Sequence, residues 1–201
     1  MGSGDKVPDY LRELGFTVDI INDEALSTNQ LSKYDVIIAG IRAYNTLSGM
    51  DALKDIILEY VKEGGTYIVQ YNTLGKRYAE PGPYKLKISR DRVAEEDAPV
   101  TFISPDHQLL NYPNKITQDD FDGWVQERGL YFPDEWDDIF DPILEMNDEG
   151  ESPKRGSLLY ARYGKGIFIY TGLSFFRELP AGIPGAYKLF VNLISAGQYG
   201  K

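Results

Sequence analysis

The run Gly64-Gly65-Thr66-Tyr67-Ile68-Val69-Gln70-Tyr71-Asn72-Thr73 constrains the fold more than any other stretch of the chain. A Gly-Gly pair closes the helix before it, a short apolar run follows, and small polar residues end it. That is the pattern of a strand buried on both faces of a parallel sheet. Open α/β sheets bind ligands beyond the carboxyl ends of their strands, so Tyr71, Asn72 and Thr73 stand where chemistry is expected. The central residue there is an amide, which is no nucleophile.

The flanking sequence supplies the rest of a parallel unit. Tyr34 to Gly40 reads as a second buried strand by its β-branched run, and Met50, Leu53, Ile56, Ile57, Tyr60 and Val61 fall on one helical face between the two strands. Strand, helix and strand at this spacing predict a right-handed crossover. Upstream, Pro8 to Leu14 predicts a helix stopped by Gly15, Phe16 to Ile21 a strand, and Leu26 to Lys33 a linker or half-helix. Gly2-Ser3-Gly4 resembles a phosphate loop only superficially, because Val7 stands where a third glycine is needed and no strand precedes it. A tight turn following an upstream first strand is the simpler expectation.

Between Leu74 and Pro153 the alternation breaks down. Tyr84 to Ile88, Val100 to Ile103, Trp124 to Leu130 and Pro142 to Met146 each predict a short strand, and Pro81-Gly82-Pro83 a loop. The segment is too long for a structureless connection, so residues 74–153 are expected to form a β-rich insertion over the carboxyl edge of the sheet. Its acid runs, Glu95-Glu96-Asp97 and Asp134-Glu135-Trp136-Asp137-Asp138, lack the ligand spacing and glycine turn of a calcium loop and predict solvated faces. Regular patterning then returns. Ser157 to Tyr163 and Ile167 to Thr171 form a hairpin through Gly164-Lys165-Gly166, and Ala186, Leu189, Phe190, Leu193 and Ile194 mark a last helix docked on the sheet.

A length of 201 residues suits one domain with a core that needs no staples. Zero cysteines exclude disulfides, thiolate nucleophiles and thiolate metal sites, and leave the compartment open. The net charge of -10 disfavours nucleic acid and anionic membranes as partners. No apolar run approaches the roughly 20 residues that span a bilayer, and Met1-Gly2-Ser3-Gly4-Asp5 is no signal peptide. If the chain is a fragment, its address lay upstream. No cofactor motif or metal-ligand set stands out.

The run Asn111-Tyr112-Pro113-Asn114-Lys115-Ile116-Thr117, the run from Asp120 to Phe132, and Tyr170 to Gly182 resemble the C-terminal region of bacterial deacetylases of the LmbE/PIG-L type. The resemblance covers nearly the whole chain. It implies a flavodoxin-like, class I glutamine-amidotransferase-like domain, an α/β three-layer sandwich with a mainly parallel sheet, carried behind a catalytic domain. It also implies that Gly2-Ser3-Gly4-Asp5 follows a first strand, most of which this chain lacks. The zinc-binding Ala-His-x-Asp-Asp type motif of the catalytic domain is absent, and with one histidine this chain cannot rebuild it. Active amidotransferases carry a cysteine on a strained strand-to-helix turn with a histidine base. Here the equivalent turn is Tyr71-Asn72-Thr73, so glutamine hydrolysis by that route is excluded.

Three functions remain open. The first is a polar and aromatic cleft at the carboxyl edge, built from Arg42, Tyr44 and Asn45 at one strand end, Asn72 at the next, Ser174, Arg177 and Glu178 at the last, and Trp124, Glu127 and Arg128 from the insertion. Aromatic faces beside amides, carboxylates and guanidinium groups suit sugar rings and hydroxyls, so carbohydrate is the expected ligand. The same acids and arginines would equally form ion pairs that hold the insertion to the sheet. The second is architecture: fifteen tyrosines and nine phenylalanines supply anchors for docking on the deacetylase domain or for homo-oligomerisation. The third is hydrolysis by Ser174 with His107 as base, against which His107 would merely cap a turn beside Pro105-Asp106. The leading expectation is a non-catalytic accessory module of a sugar-type deacetylase, whose parent chain would be compatible with export to the periplasm.

Overall fold

The computed structural model describes residues 6–21, 31–47, 49–75 and 80–200. In chain order the strands are β1 (Val36–Ala39), β2 (Thr66–Gln70), β3 (Leu86–Val93), β4 (Val100–Phe102), β5 (Gly129–Trp136), β6 (Asp141–Pro142), β7 (Leu144–Met146), β8 (Leu158–Tyr163) and β9 (Gly166–Thr171). The α-helices are α1 (Val7–Glu13), α2 (Ala43–Thr46), α3 (Met50–Lys62), α4 (Gln108–Asn111), α5 (Phe175–Glu178) and α6 (Pro184–Ser195).

The central sheet has the order β1-β2-β9-β8-β6. β1, β2 and β9 run parallel, with Val36 opposite Thr66 and Thr66 opposite Ile167, while β8 and β6 continue antiparallel. The chain is therefore an α/β protein whose sheet is parallel through its first three strands. Every residue of β2 is buried, as its apolar run predicts for a central parallel strand.

Successive residues of these strands enter two separate cores. Ile68, Ile169 and Leu158 pack with Val7 and Leu11 of α1 and with Leu189, Phe190 and Leu193 of α6. Tyr67, Val69, Phe168 and Leu159 point the other way and pack with Leu53, Ile57 and Val61 of α3. Helices thus cover both faces, each large buried side chain contributing about 1.5–3 kcal/mol. The β8–β9 hairpin turns through Gly164 at φ 59°, and Tyr163 pairs with Gly166. A Cβ on Gly166 would lie 2.0 Å from the Val61 carbonyl oxygen, so glycine is what lets α3 approach the hairpin.

The insertion contributes the antiparallel pairs β3–β5 and β4–β7, and its β6 completes the central sheet. The start of β5 is fastened to the chain just beyond the carboxyl end of β9: Leu130 N donates to Gly172 O at 2.9 Å and Ser174 N to Arg128 O at 3.1 Å. Among the described residues no helix is long and apolar enough to cross a membrane.

Three expectations are corrected. Phe16 to Ile21 is not a strand; Phe16 N instead donates to Leu11 O at 3.0 Å, closing α1, and no strand among the described residues pairs with the segment. Trp124 to Leu130 is not a strand either. Gln126 has φ 68°, which interrupts extended backbone, so β5 begins only at Gly129. The expected strand at 142–146 divides, with Asp141–Pro142 on the central sheet and Leu144–Met146 on β4. Gly2-Ser3-Gly4 and positions 26–30 of the expected linker lie outside the described residues, while Leu31–Lys33 is a single 3-10 turn.

Candidate functional site

The ends of β1 and β2 are laced together by amides. Asn72, fully buried, accepts from Tyr44 N at 2.9 Å and donates to Gln70 O at 3.0 Å. Asn45 donates to Thr73 O at 2.7 Å and accepts from Thr73 N at 2.8 Å. Arg42 N donates to Tyr71 O at 2.8 Å. The Tyr44 ring is buried, its hydroxyl 2.9 Å from that of Tyr67. Asn72, Asn45 and Tyr44 thus shape the strand ends from within, while the exposed Arg42 side chain stands at the rim.

A second set of residues converges just beyond Tyr71. Glu127 is 4% exposed and takes Arg177 Nε at 3.0 Å on one carboxylate oxygen and an Arg92 guanidinium nitrogen at 3.2 Å on the other. Arg177 also bonds the Gln126 amide oxygen, and its guanidinium carbon lies 4.8 Å from the centre of the Phe176 ring. Phe176 leans on Tyr71 at 5.2 Å, and Tyr71 stacks on Tyr131 at 6.0 Å with 10° between planes. Neither the Tyr71 nor the Tyr131 hydroxyl has a hydrogen-bond partner among the described residues, although the Tyr131 carbonyl accepts from Tyr170 Oη at 3.0 Å. Burial pushes the Tyr71 phenol above its ordinary value, a shift that the Arg42 and Arg177 guanidinium groups oppose. It stays a proton donor at neutral pH.

The remaining expected site residues lie beneath this surface. Trp124 is 2% exposed and donates its indole N–H to Asp120 O at 3.0 Å. Arg128 is 4% exposed and donates to Ala98 O at 3.0 and 2.8 Å and to Phe121 O. Ser174 Oγ donates to the Glu127 and Arg128 carbonyls and reaches Glu178 Oε1 at 3.2 Å; Glu178 also accepts from Val125 N at 3.0 Å. Burial pushes the Glu178 carboxyl up to about 7, against the pull of the Val125 and Ser174 bonds and the Arg128 charge. This lower tier binds the 125–128 segment to α5.

The Ser174–His107 pairing is not formed. Ser174 is fully buried with its hydroxyl held as above, while His107 Nδ1 accepts from Leu109 N at 3.2 Å, capping α4. The imidazole packs edge-on against Tyr160 at 4.7 Å. Among the described residues no three His, Asp or Glu side chains are grouped to hold a metal ion.

Arg42, Gln126 and Tyr131 are the non-glycine residues with positive φ among the described residues, at 57°, 68° and 53°. All three border the Tyr71–Glu127 surface, and backbone held in this unfavoured region collects at functional sites. Tyr131, Phe176, Gln126 and Arg92 complete the site and are not evident in the sequence. Their only sequence signal is adjacency, since Phe176 and Gln126 neighbour expected site residues.

The fold and site define an α/β protein with a polar and aromatic surface at the carboxyl edge of its sheet and, among the described residues, no exposed nucleophile–base pair there. No protein-family profile and no curated protein matches the chain. Solved structures do. A cytoplasmic protein of Salmonella typhimurium superposes with a TM-score of 0.60 at 17% identity, covering 94% of this chain and 84% of its own. A protein described as ThuA-like, from Bacteroides uniformis ATCC 8492, gives 0.58 at 16% identity, covering 94% and 81%. A β-galactosidase from Rahnella sp. R3 gives 0.58 at 18% identity, covering 96% of this chain but 27% of the enzyme. At these identities the likeness concerns the fold.

Proposed function

We propose that the chain is a non-catalytic module of flavodoxin-like, glutamine-amidotransferase-like three-layer build, which holds a carbohydrate at the carboxyl edge of its sheet and serves an LmbE/PIG-L-type deacetylase domain. The observation that carries the binding role is the Tyr71–Tyr131 pair: two nearly parallel rings whose hydroxyls have no hydrogen-bond partner among the described residues, flanked by the Arg177 and Arg42 guanidinium groups. The half-buried Tyr131 ring offers a face to a pyranose, the buried Tyr71 ring backs it, and the hydroxyls and guanidinium N–H groups offer donors to its oxygens. Burial of Ser174 and the capping role of His107 support a binding role over hydrolysis. That a β-galactosidase contains a region of this fold supports a module working beside a carbohydrate-active domain.

The experiment is calorimetric titration of neutral and amino sugars and their oligomers into the wild-type chain and Arg177→Ala. Binding that weakens in the variant supports the reading. Absence of heat with every sugar, together with capture of a deacetylase domain in a pull-down, would replace it with a purely architectural role.

A further inference from the structure

The rim of the Tyr71–Tyr131 surface is rich in hydrogen-bond donors, and its acceptors are already taken. Arg42 is exposed, and its guanidinium group has no hydrogen-bond or ion-pair partner among the described residues. Its backbone is fixed beside Tyr71 by the bond from Arg42 N to Tyr71 O at 2.8 Å. Arg177 gives Nε to Glu127 and Nη1 to Gln126, which leaves Nη2 without a partner among the described residues. Against these donors, Glu127 is 4% exposed with Arg177 on one oxygen and Arg92 on the other. The Gln126 amide oxygen is taken by Arg177, and Glu96 accepts from Gln126 N at 2.8 Å. Charge is lopsided in the same sense: Arg42, Arg92 and Arg177 gather about the one buried carboxylate of Glu127, in a chain whose net charge is -10. Burial raises the Tyr71 phenol, and the charges that act on it most are those of Arg42 and Arg177, ahead of Glu127.

A ligand for such a rim must bring acceptors. Neutral sugars present hydroxyls that give as well as take, and an ammonium group only gives. A carboxylate only takes, and its two oxygens match the planar fork of a guanidinium group. We propose that the sugar held at this surface is acidic, with its ring on the half-buried Tyr131 face, its carboxylate on the Arg42 guanidinium and its hydroxyl oxygens on the tyrosine hydroxyls and Arg177 Nη2. The inference rests on the carbohydrate reading above and narrows it to uronic acids. Amino sugars are the disfavoured class, because their ammonium group would meet three guanidinium groups while Glu127 is already committed. Arg42 is thereby the residue that sets specificity, and Arg177 divides its nitrogens between holding the 126–127 segment and meeting the ligand.

The test titrates glucuronate and galacturonate into the labelled chain beside glucose, galactose, glucosamine and galactosamine, with Kd read from NMR shifts at about pH 6, where the acids are ionised and the amines protonated. Each acid should bind about tenfold more tightly than its neutral parent, as a charge-assisted hydrogen bond provides, and each amine more weakly than either. Arg42→Gln, which keeps the length of the side chain and removes its charge, should cut the advantage of the acid to about twofold or less, and Arg42→Lys should keep part of it. Raising salt from about 0.05 M to about 0.5 M should shrink the same advantage in the wild type, and decides the matter should Arg42→Gln not fold. Neutral sugars that bind as tightly as the acids, amines that bind more tightly, or an advantage that survives Arg42→Gln or, where that variant does not fold, high salt would overturn the proposal and leave the carbohydrate reading in place. No binding by any of these sugars would remove both.

Discussion

The rings of Tyr71 and Tyr131 lie 6.0 Å apart and 10° from parallel, joining the end of β2 to the start of β5. Tyr131 holds this position at φ 53°, a conformation that costs a non-glycine residue about 1 kcal/mol or more. A ring kept at such a cost beside a hydroxyl with no partner among the described residues is the element a bound sugar would use. Tyr131→Ala is expected to raise the Kd for a saccharide about fivefold, in keeping with about 1 kcal/mol for an aromatic contact. Calorimetry checks this, with far-UV circular dichroism confirming the fold.

Glu127 is the buried anchor of two arginines of unequal exposure, the Arg92 side chain at 59% and the Arg177 side chain at 33%. Glu127→Ala should destabilise the chain by about 2 kcal/mol, because it leaves the Arg177 guanidinium without its carboxylate and opens a polar gap. Arg92→Ala should cost less than about 1 kcal/mol, because the Arg92 side chain is itself exposed to water and Glu127 keeps Arg177. Urea unfolding of the two variants gives the comparison, and equal losses would refute this assignment of Glu127.

Glu178 gives the chain a pH dependence of stability with a defined sign. Its carboxyl is raised to about 7 in the folded state, so the favourable contribution is complete below the unfolded value of about 4.5 and disappears as pH rises through 7. His107, lowered mainly by burial, acts in the opposite direction below its ordinary value, so the comparison must be between variants. Between pH 5 and pH 8 the wild type should lose about 1–3 kcal/mol relative to Glu178→Gln, measured by urea unfolding. Parallel profiles for the two chains would remove Glu178 as the source.

Gly185 sits in the first turn of α6, where helix propensity favours alanine by about 1 kcal/mol. Packing there opposes it far more strongly, since a Cβ would stand 1.8 Å from the Asp120 carbonyl oxygen. That loop is fixed: Asp120 accepts from Thr117 N and from Lys188 Nζ, each at 2.8 Å. Gly185→Ala should therefore lower stability by about 3 kcal/mol, read as a fall in the thermal midpoint. A rise would mean that the loop yields easily.

Much of the fold was legible because its signals are local. The β-branched run at Val36–Ala39, the Gly64-Gly65 stop and the apolar face from Met50 to Val61 each declare their own element. Phe16–Ile21 carries a strand's alternation and is not one, because a strand requires a neighbour as well as a pattern. The site was legible only as a neighbourhood. Arg42, Glu127 and Arg177 border its surface, but sequence does not say which polar residues turn inward. Asn72, Ser174, Arg128 and Glu178 turn inward because the strand ends and the 125–128 segment present backbone groups that need partners. The motif at 111–132 is explained in the same terms. Asn192 of α6 clips residue 114 through its backbone N–H at 2.9 Å and its carbonyl at 2.7 Å, and Trp124 fills the core.

The central claim is that a carbohydrate lies on the Tyr71–Tyr131 surface, and the most direct measurement is heteronuclear NMR of the labelled chain during titration with the sugar giving the largest heat. The account predicts shift changes confined to residues 42, 71, 92, 126–127, 131 and 176–177, absent in Tyr131→Ala. Changes that leave these residues untouched, or a spectrum unmoved by any sugar, would contradict it.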